Sequence, residues 1–126
     1  MYFVVPKIIL FREEHTPRTL VKKVDFISAP GISPPNVYRP GGPKYLITNK
    51  ALFSFNKKEK NFKIEKINPE FTLDEVVKST GFEFKTNKNL KYFTIPSQKR
   101  IDILRNLIAP KVLNFYPHFA KKLWFN

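Results

Sequence analysis

Residues 28–43 form the segment that most restricts how this chain folds. They hold five of its 11 prolines and three of its 4 glycines, at Pro30, Gly31, Pro34, Pro35, Pro40, Gly41, Gly42 and Pro43. Proline removes a backbone donor and fixes φ, so helix interiors and strand ladders exclude such a density of it. The segment is therefore predicted to be a loop, and its length favours a functional or partner-packed role. Its last four residues are expected to shape the turn into the next strand rather than to cradle a phosphate, because no helix follows them.

The sequence before this loop predicts a strand and a short second element. Tyr2 to Phe11 is short and rich in β-branched and aromatic residues, which is typical of a buried strand. Pairing is expected to begin after Pro6, which has no backbone donor. In residues 15–27, apolar side chains recur at helical spacing and favour a short helix. Alternation from residue 24 to residue 28 also fits a closing strand, and the two alternatives stay open.

The sequence after the loop predicts a hairpin and then a helix. Tyr45 to Phe55 alternates as one strand, residues 56–61 form a polar turn, and the return strand follows from Phe62. Thr72 is a good N-cap, and Glu75 three residues later completes a capping box. Leu73, Val76 and Val77 would form the apolar face of this helix, and Gly81 would end it. A short strand is expected at residues 82–84.

A second helix and an aromatic tail close the chain. Ser97 is placed to cap a helix whose apolar face holds Ile101, Leu104, Leu107 and Ile108, and Pro110 is expected to end that helix. Residues 114–126 are aromatic and basic. They have the composition of a stacking surface for single-stranded nucleic acid, but a docking segment with buried aromatics is the favoured interpretation.

Composition narrows the class of protein and its partners. The formal net charge is +13, which attracts polyanions such as nucleic acid, phosphorylated molecules or an acidic subunit. The lysines are scattered, so an ordinary solvated surface is an equal alternative. Without cysteine, no thiol nucleophile or thiolate metal site exists. No apolar run approaches the length of a membrane span, and no signal peptide is recognisable, so a cytoplasmic location is expected.

Few residues have the pattern of a catalytic centre. The sequence has two histidines, and neither has a second ligand within helical or hairpin reach, so no metal site is predicted. Glu13 and Glu14 would point to opposite faces of an extended chain, which does not suit an acid–base pair. His15 and Thr16 follow the first predicted strand, and strand ends in open α/β sheets collect ligand sites.

Several segments resemble the beta subunit of CoA-transferases of the glutaconate type. His15 to Gly31 is similar to one segment of that family, with Lys22 where glutamate is usual. Gly42 to Phe55 is similar to a Gly-Pro-led strand pair of the family. Asn68 to Val76 and Ser79 to Phe84 match two further segments, although Glu70 replaces an expected glycine. Residues 96–110 resemble the closing helix. The matches cover most of residues 7–113, whereas the tail after Phe115 has no counterpart.

The resemblance implies an α/β fold, an open sheet with flanking helices of the NagB/RpiA/CoA-transferase type. Residues 1–113 would be the C-terminal part of a beta-subunit domain, with residues 114–126 as a separate tail. The implied partners are a CoA-transferase alpha subunit, the N-terminal half of the beta subunit and an acyl-CoA. Neither a membrane nor nucleic acid is expected as a partner. Coenzyme A would be a substrate, and no cofactor is implied.

The resemblance also implies covalent catalysis by a glutamate that attacks the acyl-CoA. In the family, this glutamate and a glycine-rich CoA loop lie upstream of the matched segments. No glutamate of this chain is therefore assigned as nucleophile, and whether the chain is active by itself is left open. His15 and Thr16 are the residues expected at the edge of the substrate pocket. The alternative function is a non-catalytic basic module that binds a partner protein or nucleic acid.

Overall fold

A computed structural model describes residues 4–125 and gives a mixed α/β fold. The strands are β1 (Ile8–Arg12), β2 (Pro43–Thr48), β3 (Ala51–Asn56), β4 (Asn61–Ile67), β5 (Phe84–Lys85) and β6 (Lys91–Tyr92). The helices are α1 (Leu73–Ser79), α2 (Gln98–Ile103), α3 (Ala109–Phe115) and α4 (Pro117–Trp124), with a π-helical turn (Leu104–Ile108) between α2 and α3. Within residues 4–125, no helix is both long enough and apolar enough to cross a bilayer.

The six strands form one open sheet in the order β1-β2-β3-β4-β5, with β6 also paired to β4. β1 runs parallel to β2, while β2, β3 and β4 are successively antiparallel. β5 and β6 both run parallel to β4, at different points along it. This arrangement confirms the predicted α/β class with an open sheet.

The first strand differs from its prediction in burial. Pairing does begin after Pro6, as predicted, and Tyr2 lies outside the described residues. However, β1 is an edge strand, and Ile9 and Phe11 are 58% and 61% exposed. The interpretation as a buried strand is therefore wrong within this chain, because no described element covers the faces of β1.

Neither element expected within residues 15–27 forms. The chain makes one turn, in which the Leu20 amide donates to the Thr16 carbonyl at 2.9 Å, and then continues without helix or strand to residue 42. Leu20 is buried, whereas Phe26 and Ile27 are largely exposed. Leu20 alone of the residues at this spacing joins the core, so the spacing produced neither alternative. The loop predicted for residues 28–43 is confirmed except at Pro43, which begins β2.

The single strand predicted from Tyr45 to Phe55 is in fact two. A turn at Asn49 and Lys50 folds β2 back on β3. The Thr48 hydroxyl accepts from the amides of Lys50 and Ala51 at 3.2 and 3.0 Å, which stabilises this turn. The second hairpin, β3 to β4, is confirmed with its polar turn, where Lys60 adopts a left-handed φ of 56°.

One face of the sheet carries the core, which helix α1 completes. Its buried members are Leu20, Leu46, Ala51, Phe53, Ile64, Ile67 and Val76. Phe53 is central to this cluster, since its ring meets those of Phe62, Phe82 and Phe84 edge-on at centroid distances of 5.1–6.3 Å. Val76 brings α1 into the cluster, whereas Val77, expected on the same face, is 48% exposed.

Helix α1 confirms the predicted capping box. The Thr72 hydroxyl accepts from the Glu75 amide at 3.3 Å, and the Glu75 carboxylate accepts from the Thr72 amide at 2.7 Å. These hydrogen bonds lower the pKa of Glu75. The helix ends at Ser79, with Thr80 as its C-cap, one residue before the predicted Gly81 stop.

Contacts divide the chain after Phe93, and the described residues from 94 to 125 form a compact helical unit. Ser97 precedes α2 but makes no side-chain capping bond. The predicted helix end at Pro110 is wrong, because the π-helical turn lies directly before it and Pro110 occupies the first turn of α3. The π-helical turn, which the Ala109 amide closes by donating to the Leu104 carbonyl, adjusts the backbone so that the helix continues through Pro110. The tail is helical in α4, and the separation of residues 114–126 from residues 1–113 stays a prediction.

Candidate functional site

His15 lies at the point where three elements meet. Its side chain is 1% exposed, and its ring is 6.0 Å from that of Phe53. Nδ1 is 2.7 Å from the hydroxyl of Thr48, at the end of β2. Nε2 is 2.8 Å from the hydroxyl of Thr80, the C-cap of α1. One imidazole therefore connects the segment after β1 to both the sheet and the helix.

The neighbouring hydrogen bonds determine which nitrogen of His15 carries the proton. The Thr80 hydroxyl donates to the Val76 carbonyl at 2.7 Å, so it accepts from Nε2–H of His15. Nδ1 is then the acceptor, and the Thr48 hydroxyl donates to it at 2.7 Å in preference to the Ala51 carbonyl, which lies farther away at 3.2 Å. The Thr48 oxygen itself accepts from the amides of Lys50 and Ala51. Each group has a distinct role, as expected for a fully satisfied buried polar network.

The environment keeps the His15 imidazole neutral. Burial, followed by the positive charge of Lys50, lowers the pKa of His15 from 6.5 to about 4. Lys50 is held nearby, since its Nζ donates to the Ser79 hydroxyl at 3.2 Å and lies 5.2 Å from the centre of the Phe71 ring. With both ring nitrogens bonded, this histidine positions the surrounding elements and does not act as a free base near neutral pH.

Thr16, the second predicted site residue, lies beside His15 on a partly exposed turn. Its hydroxyl donates to the Glu14 carboxylate at 2.9 Å, and its carbonyl accepts from the Leu20 amide. Thr19 ties the turn together by donating to the Glu14 carbonyl at 2.9 Å. The structure thus buries His15 between β2 and α1, whereas Thr16 lies beside it at the surface. Their expected role at a substrate pocket stays a prediction.

Thr80 also lines a cavity of about 380 Å³. Its lining combines apolar and charged groups from the segment after β1, from α1 and from the chain that follows α1: Lys22, Val77, Thr80, Gly81, Phe82, Glu83, Phe84 and Thr86. Lys22 Nζ is 3.9 Å from the Glu83 carboxylate, and both side chains are exposed. Thr80 both lines the cavity and accepts a hydrogen bond from His15. The histidine therefore holds one lining residue of the cavity in position.

The proline-rich loop encloses a second cavity of about 330 Å³. Lys57 Nζ donates to the carbonyls of Pro40 and Gly41, which anchors the loop to the hairpin turn. Arg39 adds a second cationic side chain to the lining, and the buried Ser33 hydroxyl oxygen has no hydrogen-bond partner among the described residues. Within residues 4–125, no group of three or more acidic or histidine side chains could hold a metal ion.

The sequence did not indicate that Thr48, Thr80 and Lys50 lie around His15. Thr48 and Thr80 lie 33 and 65 residues from His15, so no local spacing could identify them. Only residue type could have indicated the two threonines. A buried histidine requires hydrogen-bond partners, and short hydroxyl side chains supply them.

The sequence has a curated relative, although no protein-family model matches it. It is 27% identical over 104 residues to the beta subunit of glutaconate CoA-transferase from Acidaminococcus fermentans. The match covers 77% of this chain and 39% of that protein. The chain thus spans about two fifths of the length of the curated relative it matches.

Solved structures share the fold of this chain. IpdAB of Rhodococcus jostii RHA1 aligns with a TM-score of 0.72 and 24% identity, over 86% of this chain and 46% of the other. Glutaconate CoA-transferase of Acidaminococcus fermentans aligns with a TM-score of 0.69 and 22% identity, over 82% and 42%. The decarboxylase AibA/AibB aligns with a TM-score of 0.58 and 16% identity, over 77% and 36%. In sequence and in fold, the chain is thus similar to part of the beta subunit of a CoA-transferase of the glutaconate type.

Proposed function

We propose that this chain serves as the C-terminal part of a CoA-transferase beta subunit. It would support the transfer of CoA between an acyl-CoA and a carboxylic acid once assembled with an N-terminal beta-subunit half and an alpha subunit. The observation that carries the proposal is the match to the beta subunit of glutaconate CoA-transferase over 77% of the chain. The shared fold of the solved glutaconate CoA-transferase supports it.

The surroundings of His15 support a structural rather than a catalytic role for this residue in that activity. The imidazole is buried, neutral and bonded through both nitrogens, so it is suited to holding elements together. We therefore assign the attacking carboxylate to the N-terminal half. His15 and Thr16 are proposed at the edge of the substrate pocket, where His15 acts as a positioning residue by fixing Thr80. Coenzyme A enters as a substrate.

Co-expression tests the proposal. The chain would be produced with two polypeptides from its genome: the one matching the remaining part of the beta subunit and the one matching an alpha subunit. We expect one complex on size-exclusion chromatography that exchanges CoA between glutaryl-CoA and acetate. A complex that forms but transfers no CoA from glutaryl-CoA or acetyl-CoA would contradict the proposal, as would the absence of any such polypeptides from the genome.

The alternative function, a module that binds polyanions, is tested by measuring its affinity for nucleic acid. Its support is the net charge of +13. Titration of a fluorescent single-stranded oligonucleotide at increasing salt would reveal it, because binding through phosphates weakens steeply with salt. We expect only weak, sequence-independent binding. Tight and steeply salt-dependent binding, together with no CoA transfer by the complex, would favour the module.

A further inference from the structure

The proline-rich loop of residues 28–43 encloses a cavity that the proposed function does not use. Its volume is about 330 Å³, and it is lined by residues of this loop, between 31 and 41, and by Lys57 from the turn between β3 and β4. Two of the lining side chains, Arg39 and Lys57, are cationic, and none of the lining residues is acidic. Two cations that line one space without a carboxylate favour an anionic ligand there.

Lys57 is held at this cavity by the loop itself. Its Nζ donates to the Pro40 carbonyl at 2.8 Å and also to the Gly41 carbonyl. An ammonium group has three donors, so these two bonds fix its position and leave one donor for a ligand. Residues 40–43 thus shape the turn and position a cation, while the contacts to a ligand come from side chains.

The Ser33 hydroxyl is a second feature of the cavity that points to a ligand. Ser33 lines the cavity, and its hydroxyl oxygen is buried without a hydrogen-bond partner among the described residues. Buried hydroxyls are nearly always hydrogen-bonded in native proteins, so this one calls for a bound molecule or an ordered water. An oxyanion accepts hydrogen bonds from a hydroxyl and from an arginine side chain together.

We propose that this cavity binds a phosphate group carried by a small ester. A phosphate ester carries close to two negative charges near neutral pH, which Arg39 and Lys57 match better than they match the single charge of a carboxylate. The Ser33 hydroxyl donates to one of the phosphate oxygens. Such a site needs only this chain and so goes beyond the proposed function.

The size of the cavity and one aromatic residue favour an ester over free phosphate. A volume of about 330 Å³ lies at the lower end of the range for small-molecule sites, so part of the esterified group fits beside the phosphate. Tyr38 also lines the cavity and offers an aromatic ring on which a nucleobase can stack. A nucleoside monophosphate is therefore a suitable probe.

General attraction by the net charge is the competing explanation for any anion binding. The chain has a formal net charge of +13, and such a field attracts phosphate esters to no particular place. Lys58 separates the two explanations, because it follows Lys57 in the same turn, is exposed and lies outside the lining. Loss of its charge lowers the general attraction as much as loss of the Arg39 charge does.

Isothermal titration calorimetry with the full chain tests the site. The probes are adenosine 5′-monophosphate, inorganic phosphate and, as the control without phosphate, adenosine. Salt is held at about 0.15 M, which screens exposed charges. We expect both phosphates to bind and adenosine not to bind.

Substitutions in the lining should weaken the binding of adenosine 5′-monophosphate. We expect a loss of about tenfold or more for Arg39→Met and about threefold or more for Ser33→Ala, since hydrogen bonds to charged groups are the stronger kind. Lys58→Met is the matched control and should bind like the natural chain. Lys57 is left in place because it also anchors the loop. Since the Ser33 hydroxyl has no partner among the described residues, Ser33→Ala should not lower the urea midpoint of unfolding.

Several results would overturn the site. Equal weakening by Arg39→Met and Lys58→Met would do so in favour of general attraction, as would binding that Arg39→Met and Ser33→Ala leave unchanged. Adenosine that binds as tightly as its monophosphate, or no binding of either phosphate, would also overturn it. Among the results that support the site, tighter binding of adenosine 5′-monophosphate than of inorganic phosphate identifies an ester as the ligand, and equal binding identifies the phosphate group alone.

Discussion

The Gly81 amide donates a 2.7 Å hydrogen bond to the Leu20 carbonyl. This close approach joins the chain after α1 to the turn that follows His15. A Cβ atom at position 81 would lie well inside van der Waals contact with that carbonyl oxygen and 3.3 Å from the Pro17 carbonyl oxygen. Both obstacles are backbone atoms, so a larger residue here requires the turn to move.

We predict that Gly81→Ala destabilises the fold by about 1–3 kcal/mol, the usual cost of overpacking. Urea unfolding followed by circular dichroism would measure the change. Gly31→Ala is the matched control. A Cβ at position 31 would meet only the side chains of Pro43 and Phe55, at 3.6–3.8 Å, and should change stability little. Equal losses in the two variants would contradict the close approach at Gly81.

Stability should fall as the pH drops below 6.5. The pKa of His15 is about 4 in the folded chain and 6.5 when exposed, so the unfolded chain binds the extra proton between these values. Stability from neutral His15 is fully present above pH 6.5 and is lost progressively down to pH 4. A shift of this size corresponds to about 3 kcal/mol.

Urea unfolding at several pH values would test this dependence. The window from pH 7 to pH 5 isolates His15, because the lowered carboxylate pKa values of Glu59 and Glu75 lie under 4.5. We expect His15→Gln to lose stability at pH 7 and to flatten the dependence on pH within the window. His118→Gln should retain the dependence. A natural chain whose stability stays constant from pH 7 to pH 5 would refute the buried neutral histidine.

Thr80→Val should leave Nε2–H of His15 without an acceptor. A buried donor that loses its partner costs about 1–3 kcal/mol, so the free energy of unfolding should fall by that amount. Thr80→Ser keeps the hydroxyl and should lose less. Nitrogen NMR shifts should show the Nε2–H tautomer of His15 in the natural chain and a changed ring environment in Thr80→Val. Observation of the Nδ1–H tautomer would contradict the assigned direction of these hydrogen bonds.

Local signals in the sequence predicted the local parts of the fold. The pair Thr72 and Glu75 defines its own helix start, because both capping bonds form within four residues. The proline-rich loop is likewise predictable, since proline excludes regular pairing wherever it falls. The β3–β4 hairpin followed from alternation on both sides of a polar turn.

Three other features of the structure could not be predicted in this way. Alternation continues through Asn49, so the turn between β2 and β3 became visible only once Thr48 was seen to bind two amides. The π-helical turn before Pro110 is a backbone adjustment with no pattern in residue type. The His15 site depends on Thr80, which is 65 residues away, and hydrophobic periodicity carries no information on such a pair.

CoA transfer by the assembled complex tests the central claim most directly. Complexes containing the alpha subunit and the N-terminal beta-subunit half would be assayed with glutaryl-CoA and acetate, with and without this chain. We expect acetyl-CoA to form only when the chain is present. Equal rates of transfer with and without the chain would contradict a role for it in a CoA-transferase.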